Sequence, residues 1–440
     1  MKRLGQLVSV FLIAVSISIF TSSEVRAVAD LEAESGIIVD AATGDVLFSK
    51  NADIKLPPAS MTKMMTEYLV LEAIEEGTIT WDTTTQISDY AYSISANTSF
   101  SGIGLRQNQP YTVRQLYEGM AIISDNATTI ALAELVAGSE TDFVKLMNQR
   151  GEDLGLEDFK FVNSTGLNNK SLGESRPGGT GPEEDNLMSA RATAKLAFHL
   201  VNDYPEVLEF SSTIQSELDD QPLENLNWML PWNNTNFASY FYEGVDGLKT
   251  GFTTEAGYCF TGTVQRGNQR FITVVMRTDS YGARFEETIK LMNYGFNQFT
   301  EITLFNEGDT VEGAETLPVA KGKADNVNVA LSEDVTRMVK NDEEDLYTLN
   351  YTFDEALLDK NGSIVAPIEA GTVVGTATVT YEGENDYGNI DVTKNTRTVE
   401  LVTTEAIEKN NWFMLVIGVI GDFFVNLYQT VADTVTGWFS

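Results

Sequence analysis

The sequence predicts an α/β (α+β) domain, then a small all-β sandwich, then a single amphipathic helix. Three observations carry that prediction. Apolar runs of strand length near residues 35–50 and 247–276 stand on either side of stretches with helical apolar spacing. Residues 301–403 hold short alternating runs such as Val327-Asn-Val-Ala-Leu331 and Val373 to Tyr381, the pattern of a half-buried sheet. The end of the chain, Asn411 to Ser440, is apolar but carries one narrow polar stripe.

Composition narrows the function classes. The 440 residues include 64 Asp and Glu against 29 Lys and Arg, a formal charge of −35. So acidic a surface argues against nucleic acid and against attraction to anionic lipid. A salt-rich habitat is one reading of the acidity, and plain solubility is the other. One cysteine, Cys259, rules out an internal disulfide and reads as a small buried strand residue. One histidine, His199, sits in an amphipathic helical run. A Ser-His-Asp triad or a zinc site therefore lacks material, and neither a metal nor a cofactor is expected.

At the N-terminus Lys2 and Arg3 precede an apolar run from Leu7 to Phe20 and the small-residue pattern Ala27-Val28-Ala29. This reads as a secretory signal peptide over residues 1–29, so the protein is expected to be exported. Ile37-Ile38-Val39 and Val46-Leu47-Phe48 flank Asp40 to Asp45, a hairpin with a Gly44 turn. Pro57 and Pro58 then stand just ahead of a helix starting near Ser60. On that helix Ser60 and Lys63 are three residues apart and share a face. A desolvated Lys63 that loses its proton becomes a general base for Ser60, giving a serine nucleophile that needs no histidine. A lone Ser-x-x-Lys has a purely structural reading as well.

Residues 78–111 show little periodicity and read as a long irregular segment. Thr112 caps a helix over Val113 to Ile123, and a second runs from Ala127 to Val136. Between them Ser124-Asp125-Asn126 offers a hydroxyl relay and an amide for a peptide carbonyl, or merely a helix cap. Asn168 to Asn186 is a glycine-rich flexible loop, Met188 to Leu200 a helix, and Trp228 and Trp232 pack under a loop. Gly247 to Thr253 heads a set of strands that continues through Tyr258–Val264 and Phe271–Met276. There Lys249 and Thr250 offer an ammonium and a hydroxyl to a carboxylate, and Gly251 permits close approach of a substrate. The N–H of Phe252, paired with that of Ser60, can form an oxyanion hole. A helix from Arg284 to Gln298 follows.

The ordered trio Ser60-x-x-Lys63, Ser124-x-Asn126 and Lys249-Thr250-Gly251 resembles the signature of serine β-lactamases and penicillin-binding proteins. Pro58 to Lys63, Asn163 to Leu167, Met188 to Arg191, Gly247 to Thr253 and Arg284 to Phe296 resemble one branch, the low-molecular-mass D-alanyl-D-alanine carboxypeptidases. Ala366-Pro367-Ile368 with Gly371 to Gly375 is similar to their β-rich C-terminal domain. The resemblance implies a transpeptidase-like domain over 30–300, a β-rich domain over 301–403 and a membrane-surface helix over 404–440. That helix would place the protein on the outer face of the bacterial cytoplasmic membrane. No departure from the family pattern falls on the catalytic residues, but Asp125 stands where a glycine is common and Phe252 fills a variable position.

The same resemblance implies the chemistry. Ser60 attacks the bond between the terminal D-alanines of a peptidoglycan stem peptide, Lys63 takes its proton, and Ser124 relays a proton to the leaving amine. Asn126 holds the peptide, Lys249, Thr250 and Arg284 face the terminal carboxylate, and β-lactams acylate Ser60 as inhibitors. Arg284 has an ion pair with Glu286 or Glu287 as its alternative. An endopeptidase, a β-lactamase and a non-catalytic wall-binding scaffold stay open. Against the β-lactamase, Lys160 stands where a deacylating glutamate is needed.

Overall fold

The computed structural model describes residues 31–410 apart from 234–235, 384 and 392–396. The signal peptide expected over 1–29 and the tail from Asn411 onward lie outside the described residues. Strands β1 (Ser35–Asp40) and β2 (Val46–Lys50) form the hairpin, with Gly44 at φ +77° in its turn. The later strands β3 (Val245–Thr253), β4 (Gly257–Arg266) and β5 (Gln269–Thr278) join it in a five-stranded antiparallel sheet, ordered β2-β1-β5-β4-β3. Strand β3, which carries Lys249 to Phe252, therefore lies at the open edge.

Both faces of this sheet are covered, which is why Ile37-Ile38-Val39 is continuously apolar instead of alternating. Ile37 and Val39 pack with Ile272, Val274 and Met276 into the larger core. Ile38 turns the other way, toward Phe260, Phe271 and Phe285. The larger core is helical: α1 (Lys63–Glu75), α2 (Asp89–Ser95), α3 (Val113–Ile123), α4 (Asn126–Ala137), α5 (Glu140–Asp153) and α6 (Ala190–Asp203). Helix α7 (Ala283–Gln298) covers the opposite face. Helix α1 is buried nearly all round, so its polar members Lys63, Thr66 and Glu67 lie inside the protein.

Two expectations for the first domain change. The segment 78–111 is not irregular throughout, since Ser88 caps α2 by accepting from the Ala91 N–H at 3.1 Å. Seven residues with only Ala91 and Ile94 buried are too few to show a helical period. The glycine-rich stretch 168–186 is tied down by Asn169, whose Nδ2 donates to Thr180 Oγ1 and to the Gly181 carbonyl at 2.9 Å each. Elsewhere Thr112 and Gln115 form a reciprocal capping box ahead of α3. Trp228 stacks on Phe237 at 4.7 Å.

Helix α7 runs straight into β6 (Phe299–Phe305), which pairs with β9 (Val335–Lys340). The other strands of this second domain are β7 (Thr316–Ala320), β8 (Asn326–Leu331), β10 (Tyr347–Phe353), β11 (Ile364–Val365), β12 (Val373–Tyr381) and β13 (Thr398–Thr403). They form a six-stranded sheet ordered β10-β12-β13-β8-β7-β11 over a core including Val327, Val329, Val374, Ala377 and Leu401. Residues 404–410 belong to this β domain and do not start a helix. Buried Ile407 bridges to Ile368, and Lys409 bridges to Gly322. A loop of the second domain returns to the first: the N–H of Ile390 donates to the Gly44 carbonyl at 2.9 Å, and Arg397 pairs with Asp45 at 2.9 Å. Buried Asp391 lies 3.6 Å from His199 and 3.7 Å from Lys195. The one histidine thus serves the domain seam and has no part in a triad.

Candidate active site

Pro57 and Pro58 stop the chain ahead of α1, and the link is a tight 3-10 turn, Ala59–Thr62, that raises Ser60 at the mouth of the buried helix. Ala59 takes φ +48° to make that turn. Two glycines hold it from either side. A Cβ on Gly166 would meet the Ala59 carbonyl oxygen at 1.9 Å, and one on Gly251 would meet that of Pro58 at 2.5 Å. Only residues without a side chain let the 163–167 turn and strand β3 come so near.

One turn further, Lys63 is wholly buried. Its Nζ lies 3.0 Å from Ser60 Oγ, 2.9 Å from Asn126 Oδ1 and 2.8 Å from the Thr165 carbonyl oxygen. A neutral amine has two N–H donors and one lone pair, and this surrounding supplies two acceptors and one hydroxyl. Burial holds the Lys63 pKa well below the usual lysine value, and the nearby Lys249 pushes the same way. A neutral Lys63 amine in this surrounding can accept a proton from Ser60.

The Thr165 carbonyl is aimed by Asn163, which sequence reasoning left without a role. Asn163 Oδ1 accepts from the N–H groups of Thr165 and Gly166 at 3.1 and 2.8 Å, and its Nδ2 donates to the Leu167 carbonyl at 2.7 Å. An Asn followed three residues on by Gly was the available signal of such a side-chain-built turn.

Ser124 closes α3 in the left-handed region, at φ +61°, with its Oγ buried and, among the described residues, without a hydrogen-bond partner. Asp125 is a cap: its Oδ1 accepts from the N–H groups of Ala127 and Thr128, while Oδ2 accepts from Ile103 N–H at 2.8 Å. The carboxylate where a glycine is common thereby pins the 101–103 loop beside the site. Asn126 donates from Nδ2 to the Ser101 carbonyl at 2.9 Å while accepting from Lys63. The other N–H of its amide has no acceptor among the described residues.

Across the cleft, Lys249 is buried on edge strand β3 and donates only a long 3.4 Å bond to the Thr250 carbonyl, so two of its donors have no acceptor among the described residues. Thr250 and Gly251 are buried beside it, and Phe252 is half exposed, stacked on Tyr258 at 4.4 Å. Arg284 is fully buried beneath this strand. Its Nη1 donates to the Gly251 carbonyl at 3.4 Å, its guanidinium lies 3.9 Å from the Tyr281 ring centroid, and Nε and Nη2 are unpaired among the described residues. The alternative pairing is not made among the described residues: Glu287 is taken by Lys290 at 2.6 Å, and Glu286, two residues on, points to another face of the helix. Cys259 is buried, and burial pushes its thiol up to about 11, as an inert strand residue requires. Lys160 is an exposed partner of Glu184.

These three motifs, spread along the chain from Ser60 to Gly251, meet around one serine, and comparison with known proteins agrees. The model of the D-alanyl-D-alanine carboxypeptidase family matches residues 21–280, more than half of the chain. The chain belongs to that family. It is a serine hydrolase of the penicillin-binding class. Residues 299–409 match the penicillin-binding protein 5 C-terminal domain. The carboxypeptidase DacF of Bacillus subtilis is 32% identical over 87% of this chain and 92% of its own length. A peptidoglycan synthesis regulatory factor (PBP3) from Streptococcus pneumoniae superposes with TM-score 0.68 at 35% identity, over 85% of this chain and 99% of that one. Penicillin-binding protein 5 of Haemophilus influenzae gives 0.66 at 26% identity, over 86% and 98%.

Proposed function

We propose that the chain removes the terminal D-alanine from peptidoglycan stem pentapeptides through an acyl-enzyme on Ser60. The observation that carries this is the buried Lys63, whose Nζ has one hydroxyl and two acceptors around it. Lys63 takes the Ser60 proton as Oγ attacks the carbonyl carbon between the two D-alanines. The oxyanion is held by the N–H groups of Ser60 and Phe252, the latter on an edge strand where alternate N–H groups face away from the sheet. The proton taken by Lys63 reaches the amine through Ser124, which gives its own proton to the leaving nitrogen and takes that of Lys63 as the C–N bond breaks, so D-alanine leaves with Lys63 neutral again. Water then cleaves the ester, restoring the Ser60 hydroxyl.

Lys249, Thr250 and the unpaired Nε and Nη2 of Arg284 support binding of the terminal carboxylate, and the free N–H of Asn126 supports binding of the stem peptide. β-Lactams carry the same carboxylate and acylate Ser60 as inhibitors. A penicillin-binding protein D2 from Listeria monocytogenes, 31% identical over 60% of this chain, is known in an ampicillin-bound form. The N-terminal pattern supports export, and the apolar tail with its polar stripe supports a peripheral anchor on the outer face of the cytoplasmic membrane.

Intact mass of residues 30–410 with penicillin, and separately with a D-Ala-D-Ala pentapeptide, tests the reading. A long-lived adduct on Ser60 with loss of one alanine from the peptide supports it. Rapid penicillin turnover with an untouched peptide would make the protein a β-lactamase, and no adduct with either would leave a scaffold.

A further inference from the structure

Two amines, Lys63 and Lys249, are buried in one site, and buried charge needs a buried counter-charge. Asp125 is already committed to three backbone N–H groups. Buried Glu140 is committed to the Ser164 N–H and hydroxyl. That leaves Glu67, 2% exposed, four residues beyond Lys63 on the same face of α1 and in direct ion-pair contact with neither lysine. No described residue donates a hydrogen bond to its carboxylate. We propose that Glu67 is a positioning residue that supplies the anion keeping Lys249 an ammonium while Lys63 stays neutral. This rests on the carboxypeptidase reading above.

The charges around Glu67 single out these two lysines. Lys63 on its own helix and Lys249 from β3 both act on it, and buried Tyr117 from α3 feels its charge. Helix α5 presents Arg150, which pairs with Glu72 at 2.7 Å, and α6 presents Lys195 and His199, which face Asp391. Burial pushes the Glu67 carboxyl up to about 7 and brings Lys249 down to about 8, with Glu67 opposing the fall. The Glu67 anion therefore favours the proton on Lys249, and that support fades as falling pH neutralises Glu67.

The test is the pH profile of Ser60 acylation by a penicillin, expressed per titratable active site, for wild type and Glu67→Gln. We expect equal rate constants within twofold at pH 6 and about a tenfold deficit in E67Q by pH 9, equivalent to one unit of Lys249 pKa. With a D-Ala-D-Ala peptide the deficit resides in KM, and kcat changes less than threefold. A purely packing role would lower the rate by one factor at every pH, and such parallel profiles overturn the proposal. If E67Q does not fold, Glu67→Asp withdraws the carboxylate by one methylene and moves the alkaline limb down by a smaller amount. A folded E67D with an unmoved limb is equally fatal. Absence of any wild-type adduct would instead sink the functional reading, so the two failures are distinct.

Discussion

Gly166→Ala isolates the close approach that shapes the nucleophile turn. The new Cβ would stand 1.9 Å from the Ala59 carbonyl oxygen and 3.0 Å from the Ser60 nitrogen, both main-chain atoms that cannot rotate away. The position also has φ +84°, which costs an alanine roughly 1–2 kcal/mol. Forcing the overpacked turn apart adds about 1–3 kcal/mol. Loss of glycine freedom in the unfolded chain returns about 0.4–1 kcal/mol. The net is about 1–5 kcal/mol of destabilisation, or a fall in Tm of roughly 3–15 °C for a domain of this size. Activity suffers more, because the Thr165 carbonyl at 2.8 Å from Lys63 is one residue away. A displacement of about 1 Å there predicts on the order of a hundredfold slower acylation by penicillin. Gly173→Ala is the control, since φ is +60° but no atom lies within 4 Å of the added Cβ. The assay is stopped-flow acylation alongside calorimetry of both variants. If G166A acylates within threefold of wild type and melts with G173A, the clamp on the turn is refuted.

Other outcomes follow from the same geometry. Lys63→Ala should slow acylation by about 10²–10⁴, as loss of a general base does, with Tm changed far less than activity. Wild-type acylation should rise with pH as Lys63 is deprotonated, at a pH well below the usual lysine range, and fall again near pH 8 as Lys249 loses its proton. A profile still rising at pH 10 would contradict those roles. Arg284→Met should raise KM for a carboxylate-bearing peptide about tenfold or more while leaving an amidated peptide unaffected; equal effects on both would remove Arg284 from carboxylate binding. Molar salt should raise Tm and activity if the −35 charge is an adaptation to brine, and no gain would discard that idea.

Local rules made much of this protein readable in one dimension. The Gly44 hairpin, the Thr112 cap, the pair of prolines ahead of Ser60 and the three-residue step from Ser60 to Lys63 are all settled by residues within a few positions of each other. The same holds for the β pattern of the second domain, whose strands alternate because one face of each is wet. Short elements escaped, as α2 did, because seven residues hold too few turns for a period to show.

What the sequence alone determined was which chemistry was available: one serine with a lysine one turn away, no second histidine, no disulfide, and three motifs in a telling order. Only the tertiary structure decided what each group experiences. Asp125 reads in the sequence as a catalytic-loop variant or a helix cap, and the structure makes it a cap whose second oxygen pins 101–103 from a distant part of the chain. Arg284 had Glu287 within helical reach, three residues on, and instead lies beneath Gly251, with no ion pair to it among the described residues. Glu67 carries no motif at all, and it matters because folding buries it beside two amines from distant parts of the chain. The physical reason is common to all three. Desolvation and the pairing of buried charge depend on which segments pack together, and no local spacing contains that information.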